Sequence, residues 1–382
     1  MAVTVHQAQL VDLAGVVDDH DCAVSVHIDL DPSHSPTAGD VHARVHGLLD
    51  QAARIRRRAR MHADRNRLAA NIDRLWSRLS GDPKLGLPEG RKRGAAGFAW
   101  GDREVAVVAL PHAVEDRVEV GRRLSLTEAA SQRSRTSDVL ILVASREEGH
   151  LMRYVKGRLV DVFDDREPQE RRHDQGGWAQ MILQRWVDNA GRRHLQAVVE
   201  HLVRVHAPMG RPPLILAADD AAAATVDAAI DQEVRRSLVG RVGNERDRTV
   251  GELIDQAEAI MIDRDRSFQR DLVQRWRAAT ESPGGHGTHR MADTLAAVSD
   301  GRVDWLLMRR PDLPPAYSCP TCGRLYAEPG HCPADGDWLP PDQDGDAVVA
   351  ETLVRGGSVW RLLEADDPSL DSAGGLAALT RY

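Results

Sequence analysis

Lysine is almost missing from this 382-residue chain: of its 50 basic residues, only Lys84, Lys92 and Lys156 are not arginine. The planar arginine fork suits phosphate, but a GC-rich genome gives the same bias, so it assigns no function by itself. No apolar run approaches the roughly 18–20 residues that a membrane-spanning helix needs. The start, Met1-Ala2-Val3-Thr4-Val5-His6, has neither the basic head nor the apolar centre of a signal peptide. A cytoplasmic protein with no membrane partner is therefore expected. Cysteine is scarce as well, and four in a chain of this length do not make a disulfide framework. Cys22 stands alone while Cys319, Cys322 and Cys332 cluster, a pattern that fits a reducing compartment. Nor is there an excess of positive charge. The 58 acidic residues outnumber the basic ones and give a net charge of -8. That argues against a DNA partner and against general RNA binding, and leaves local basic patches as the only route to nucleic acid.

What is present is ordinary globular composition, 42% hydrophobic and 28% charged, long enough for two or three domains of roughly 100–150 residues each. No internal repeat is found. Val24, Val26, Ile28 and Leu30 alternate on one face of a strand that Asp31-Pro32-Ser33 stops. An Arg-rich helical region follows from about Asp40 to Leu79, and Gly101-Asp102 marks a two-residue hairpin between Gly97–Trp100 and Glu104–Val108. The polar stretch Gly121–Ser137 reads as a passage to a second domain. There Val139–Ala144 is a buried-strand run, and Leu151–Val155 turns into Leu159–Phe163. A polar loop, Asp164–Gln175, then leads to a long helix from about Trp178 to His206. Leu214–Ala218 is a further buried strand, followed by a helix over Ala221–Ser237 and a short strand at Leu238–Val242. A third segment opens near Thr249 with a helix to about Ala279. It continues with a helix over Arg290–Val298, the strand Val303–Met308, and helix and strand between Asp346 and Trp360. This alternation predicts an α/β fold of three consecutive mixed α/β domains, 1–136, 137–245 and 246–382. The middle one has a glycine-tipped loop and a long helix, and the last a small zinc-ribbon-like insertion at 317–339.

Three patches carry chemistry. The first is Arg171-Arg172-His173-Asp174-Gln175-Gly176-Gly177-Trp178-Ala179-Gln180. Adjacent glycines allow positive φ and close approach to another surface, and a following helix N-terminus favours phosphate. Arg185, Arg192 and Arg193 extend the basic character along that helix, whose apolar face is Trp178, Ile182, Trp186 and Ala190. A flexible loop before an amphipathic helix has the same spacing. A nucleotide loop is disfavoured, because neither G-x-x-x-x-G-K-[ST] nor a strand-linked G-x-G-x-x-G is present. The second patch is Cys319-Pro320-Thr321-Cys322-Gly323, half of a zinc ribbon. Its other half reads His331-Cys332-Pro333-Ala334-Asp335-Gly336. A structural zinc on three cysteines with Asp335 or His331 is one reading; a ribbon that has lost its metal is the other. The third is the run Arg54, Arg56, Arg57, Arg58, Arg60, Arg65 and Arg67, which either contacts phosphate or forms a solvated helix surface paired with Asp50 and Asp64. Arg91-Lys92-Arg93 is a lesser basic candidate.

The order of elements around Gly176-Gly177, with Arg192-Arg193-His194 on the following helix, resembles the middle domain of the archaeal and eukaryotic class I release factors and Pelota, in their bacterial branch. Gly301-Arg302-Val303 and the ending Gly374-Gly375-Leu376-Ala377-Ala378-Leu379-Thr380-Arg381-Tyr382 are similar to that superfamily's last domain, so the resemblance spans roughly 138–382. It implies a ribosome-binding factor whose loop residues Arg171, Arg172, His173, Gly176, Gly177, Trp178 and Gln180, with Arg185, Arg192 and Arg193, contact ribosomal RNA. Arg54, Arg57 and Arg58 would then lie on the decoding side. Release factors carry Gly-Gly-Gln, whose glutamine positions water for ester hydrolysis. Here Trp178 takes the third position, and the first domain has no Asn-Ile-Lys-Ser signature. The resemblance to Balon-like members of the bacterial branch implies occupation of the ribosomal A site, hibernation under stress and delivery by elongation factor Tu. The alternative is a peptidyl-tRNA hydrolase, a release or rescue factor using Gln180.

Overall fold

The structure is a computed structural model that describes residues 3–4, 7–31, 34, 37–56, 62–80, 94–102, 104–135, 138–145, 148–155, 158–166, 195–243, 249–282, 284–309, 316–339, 345–364 and 367–382. The chain condenses into two compact units. One consists of Met1–Arg135 together with Phe268–Tyr382, the other of Thr136–Ser267. The expected class is borne out: the described residues form mixed α/β layers around several sheets.

The first unit holds a five-stranded sheet in the order β1-β4-β3-β2-β5. Its strands are β1 (Val3–Thr4), β2 (Ala23–Asp29), β3 (Gly94–Trp100), β4 (Glu104–Leu110) and β5 (Arg117–Gly121). β1 runs parallel to β4 and the other pairs are antiparallel. Trp100 pairs with Glu104, so the β3–β4 connection is one residue longer than the two-residue hairpin the sequence predicts. Gly101 still supplies the positive φ, 55°, that closes it. Val24, Val26 and Ile28 face α2 (Ala38–Arg56) and α3 (His62–Ser80), packing on Val45, Leu48, Leu49, Leu75 and Leu79. These two helices stand where one helical region is expected. The alternating pattern of β2 predicts one buried face, yet all seven of its residues are buried. The second face is covered because Ala23, Phe98 and Val108 share a core with α1 (Gln7–Ala14) and with residues of the C-terminal segment such as Leu295, Leu306 and Leu353.

The stretch expected to be a polar passage contains instead the helix α4 (Thr127–Ser134), six of whose residues are buried. Its polarity has a structural use. The Ser131 hydroxyl oxygen accepts a 3.0 Å bond from the Arg361 backbone N–H, and Glu128 meets the Arg361 guanidinium at 3.2 Å. Arg361 ends β14 (Ser358–Arg361), an edge of the three-stranded sheet β14-β11-β15. An uncovered sheet edge exposes unpaired backbone groups, so polar side chains on α4 complete the edge while its alanines, with Leu124 and Leu126, join the core. Central β11 (Val303–Met308) pairs parallel with β14 and antiparallel with β15 (Leu376–Thr380). Helices α9 (Met291–Ser299) and α10 (Asp346–Val354) contribute to the same core. A short 3-10 turn, Pro368–Ala373, ends on Gly374 and Gly375 at φ 69° and 86°, which reverses the chain into β15.

The second unit is a five-stranded sheet in the order β10-β9-β6-β7-β8. The strands are β6 (Asp138–Ala144), β7 (Glu148–Val155), β8 (Arg158–Arg166), β9 (Leu214–Ala218) and β10 (Leu238–Val242). β6, β9 and β10 are parallel, and β6, β7 and β8 form an antiparallel meander. β8 reaches Arg166, three residues into the expected polar loop, because Asp164, Asp165 and Arg166 continue the ladder against β7. α5, described over 195–206, packs on one face with α6 (Asp220–Ala229) and α7 (Gln232–Ser237). The last two replace the single helix expected over 221–237. Asp219 and Asp231 each cap a new N-terminus, accepting from Ala222 N at 2.7 Å and Val234 N at 2.8 Å. The other face packs on Leu253, Ala257 and Met261 of α8 (Val250–Glu281).

Candidate functional site

The glycine loop and its basic helix start, including Arg171, Arg172, His173, Gly176, Gly177, Trp178, Gln180, Arg185, Arg192 and Arg193, lie outside the described residues. So do Arg57, Arg58 and Arg91-Lys92-Arg93. What the structure gives is the frame at each end of the segment. β8 is the edge strand at one end, held by a ladder that pairs Leu151 with Phe163. At the other end α5 buries Leu195, Val198, Val199 and Leu202. Gly149 on β7 makes this seating possible. A Cβ there would stand 2.1 Å from Val198 Cγ2, so any larger residue would force Val198 to shift. Arg54 is exposed on α2, and Arg67 is exposed 3.6 Å from Asp102.

The cysteine cluster is fully described. Cys319, Cys322, Cys332 and Asp335 present one ligand atom each, all within 4.8 Å of one another. Two backbone knuckles with matching hydrogen bonds bring them together. In the first, Cys319 N donates to Arg324 O at 2.9 Å and Gly323 N to Cys319 O at 3.0 Å. In the second, Cys332 N donates to Asp337 O at 2.7 Å and Gly336 N to Cys332 O at 2.8 Å. Gly323 and Gly336 both hold positive φ, 72° and 82°, which favours glycine there. Cys-Pro-Thr-Cys-Gly and Cys-Pro-Ala-Asp-Gly are thus two copies of one turn, and Asp335 occupies the place that Cys322 has in the first.

Cys319 Sγ lies 3.3 and 3.6 Å from the Asp335 oxygens, and Cys322 Sγ lies 3.6 Å from Cys332 Sγ. A tetrahedral zinc with bonds of about 2.3 Å to sulfur would separate its ligands by about 3.7 Å. The four side chains therefore fit a metal ion of that kind. The backbone N–H of Asp337 and the thiols of Cys322, Cys332 and Cys319 hold the Asp335 carboxyl down at about 2. The Arg324 backbone N–H favours the Cys322 thiolate, but desolvation and the hydrogen bonds of Asp335, Cys319 and Cys332 outweigh it and push the thiol up to about 12. A divalent cation would reverse that balance by taking the thiols as thiolates. His331, the other ligand considered, points its Nδ1 at Gly336 O, 3.1 Å away, and sets its ring edge-on to exposed Trp338 with centroids 5.0 Å apart. Sequence reasoning missed Tyr326, whose hydroxyl lies 3.2 Å from Cys332 Sγ. Leu325 lies on β13 (Leu325–Tyr326), which pairs antiparallel with β12 (Tyr317–Ser318); it anchors the ribbon in the core, and its N–H donates to Ser299 Oγ at 2.9 Å.

A mixed α/β chain with a glycine-bearing segment framed by an antiparallel meander and a helix is the class of protein the structure defines. Residues 125–261, from α4 into α8, match the family model of bacterial archaeo-eukaryotic release factor family 10. That match covers about a third of the chain, and it is to the superfamily that the sequence resembles. Comparison with curated proteins gave no match. Among solved structures, the chain is similar to the archaeal translation termination factor aRF1, at 15% identity over 99% of both chains and a TM-score of 0.27. Archaeoglobus fulgidus Pelota is similar at 13% identity over 75% of this chain and 79% of that one, with a TM-score of 0.33. S. cerevisiae Dom34, a translation termination-like factor, is similar at 9% identity over 74% of each chain, with a TM-score of 0.40. Among the described residues, no helix is long and apolar enough to cross a membrane.

Proposed function

We propose that this chain is a release-factor-like and Pelota-like translation factor of the cytoplasm that binds the ribosome, occupies its A site and promotes hibernation. The observation that carries this reading is the family match over 125–261, which contains the whole segment bearing Gly176 and Gly177. Within that segment Trp178 stands where a hydrolytic factor has glutamine. An indole has no carbonyl oxygen to accept a hydrogen bond from water, and it offers a face on which a base can stack. The tip therefore blocks the peptidyl transferase centre rather than cutting there. Arg171, Arg172, His173, Arg185, Arg192 and Arg193 supply local positive charge in an acidic chain, and Arg54, Arg57 and Arg58 do so on the first segment. One structural zinc on Cys319, Cys322, Cys332 and Asp335 holds the ribbon, and elongation factor Tu delivers the protein. The test is paired. The chain should sediment with 70S particles at low salt, and the double change Gly176→Ala, Gly177→Ala should weaken that binding. Ribosomes loaded with peptidyl-tRNA should release no peptide. Release that disappears in Gln180→Ala would make the protein a hydrolase instead, and failure to sediment would remove the ribosome from the account.

A further inference from the structure

The ribbon has an asymmetry that a simple structural metal site does not require. Cys319 and Cys332 are 1% and 2% exposed, whereas Cys322 and Asp335 face solvent. Three thiol ligands are thus paired with one carboxylate, and the open edge of the cluster carries one sulfur. That sulfur lies 3.6 Å from the Sγ of Cys332, on the opposite knuckle. Closing to a disulfide needs the sulfurs to approach by about 1.6 Å, to a bond near 2.05 Å. Cys319 is turned toward Asp335 and is shielded from an oxidant.

Resting on the metal reading given above, we propose that this site is an oxidation switch, in which a hydroperoxide converts Cys322 and Cys332 to a disulfide and releases the metal. The exposed Cys322 thiolate attacks the peroxide, breaking the O–O bond to give a sulfenic acid and hydroxide or alkoxide. The Cys332 thiolate then attacks the Cys322 sulfur, forms the S–S bond and expels hydroxide. Two thiolates lose two electrons in all and the peroxide gains two, so no further reductant or oxidant is needed. Two of the four ligand atoms are consumed. The remaining pair, Cys319 and the exposed carboxylate of Asp335, is too few to hold a tetrahedral ion. The carboxylate is also a harder donor than the thiolate that the matching knuckle supplies at this position, and soft ligands are what favour retention of zinc.

The test uses the full chain, reduced, loaded with Zn(II), freed of excess metal and treated with hydrogen peroxide. Free zinc is read with a colorimetric indicator, and cysteine pairing by mass spectrometry of peptides. The expected result is stoichiometric zinc release together with a peptide linking Cys322 to Cys332, both reversed by a thiol reductant and fresh Zn(II). Cys22, buried with its sulfur turned to the carbonyls of His20 and Asp64, is the internal control and should stay reduced. Cys322→Ser, a change at an exposed position, should prevent the linked peptide. Zinc retained through the treatment, or released with Cys319 in the disulfide, overturns the switch but leaves the metal site standing. A reduced chain that takes up no zinc overturns both.

Discussion

Gln269 of α8 offers a clean test of how the C-terminal part of the first unit is held. Its side-chain oxygen accepts from the Leu363 backbone N–H at 2.8 Å and from Trp360 Nε1 at 3.3 Å, while its amide donates to Asp367 Oδ2 at 2.9 Å. Trp360 is 1% exposed and Gln269 5%, so water cannot replace these bonds without the core opening. Gln269→Leu keeps the volume but strands the indole N–H. A buried donor left unmade costs about 1–3 kcal/mol. The Leu363 N–H is half-buried and adds about 1 kcal/mol at most, by the same reasoning. Asp367 keeps its bond from Ser369 N at 2.9 Å and adds little. The buried leucine returns part of the loss, leaving about 2–3 kcal/mol. For a unit of this size, that lowers its melting temperature by about 5–10 °C. Differential scanning calorimetry reads the shift directly, with the same protein concentration in both scans. A Gln269→Leu protein that melts within about 1 °C of the parent would refute the claim that this amide ties α8 to the strand carrying Trp360, since such a shift corresponds to well under 1 kcal/mol.

Three further expectations can be checked independently. Gly149→Val should destabilise the second unit by about 1–3 kcal/mol through overpacking against Val198. Proteolysis within 167–194 should then become faster, because α5 is no longer seated. Burial, with the positive charges of Arg117 and Arg361, holds His27 down at about 4 from its usual 6.5. The unfolded chain therefore binds the extra proton first. Stability is fully present above pH 6.5 and falls as pH drops toward 4, and urea midpoints across that window should fall less steeply in His27→Gln. Asp335→Ala should lower the zinc content of purified protein measured by mass spectrometry of the intact chain, whereas Asp335→Cys, which makes the two knuckles alike, should restore or raise it. Equal zinc in all three proteins would remove Asp335 from the ligand set.

The sequence by itself settled the α/β class, because runs such as Val139–Ala144 and Val303–Met308 are too apolar and too short for anything but buried strands beside helices. It also singled out Cys319, Cys322, Cys332 and Asp335, which the fold brings together, since a knuckle is a local structure and its signature, Cys-Pro-x-Cys-Gly repeated as Cys-Pro-x-Asp-Gly, lies within a few residues of chain. Local pattern misled where the deciding contact is distant in sequence. Thr127–Ser134 reads as linker because its polar side chains are matched to β14, more than 200 residues further on. β2 reads as one-faced because the chain that covers its second face comes partly from the C-terminal segment. Tyr326 carries no motif at all, and only folding of the ribbon brings its hydroxyl to Cys332. Periodicity and turn chemistry are properties of neighbours along the chain. Which polar group answers which buried partner is fixed only when distant segments close on one another.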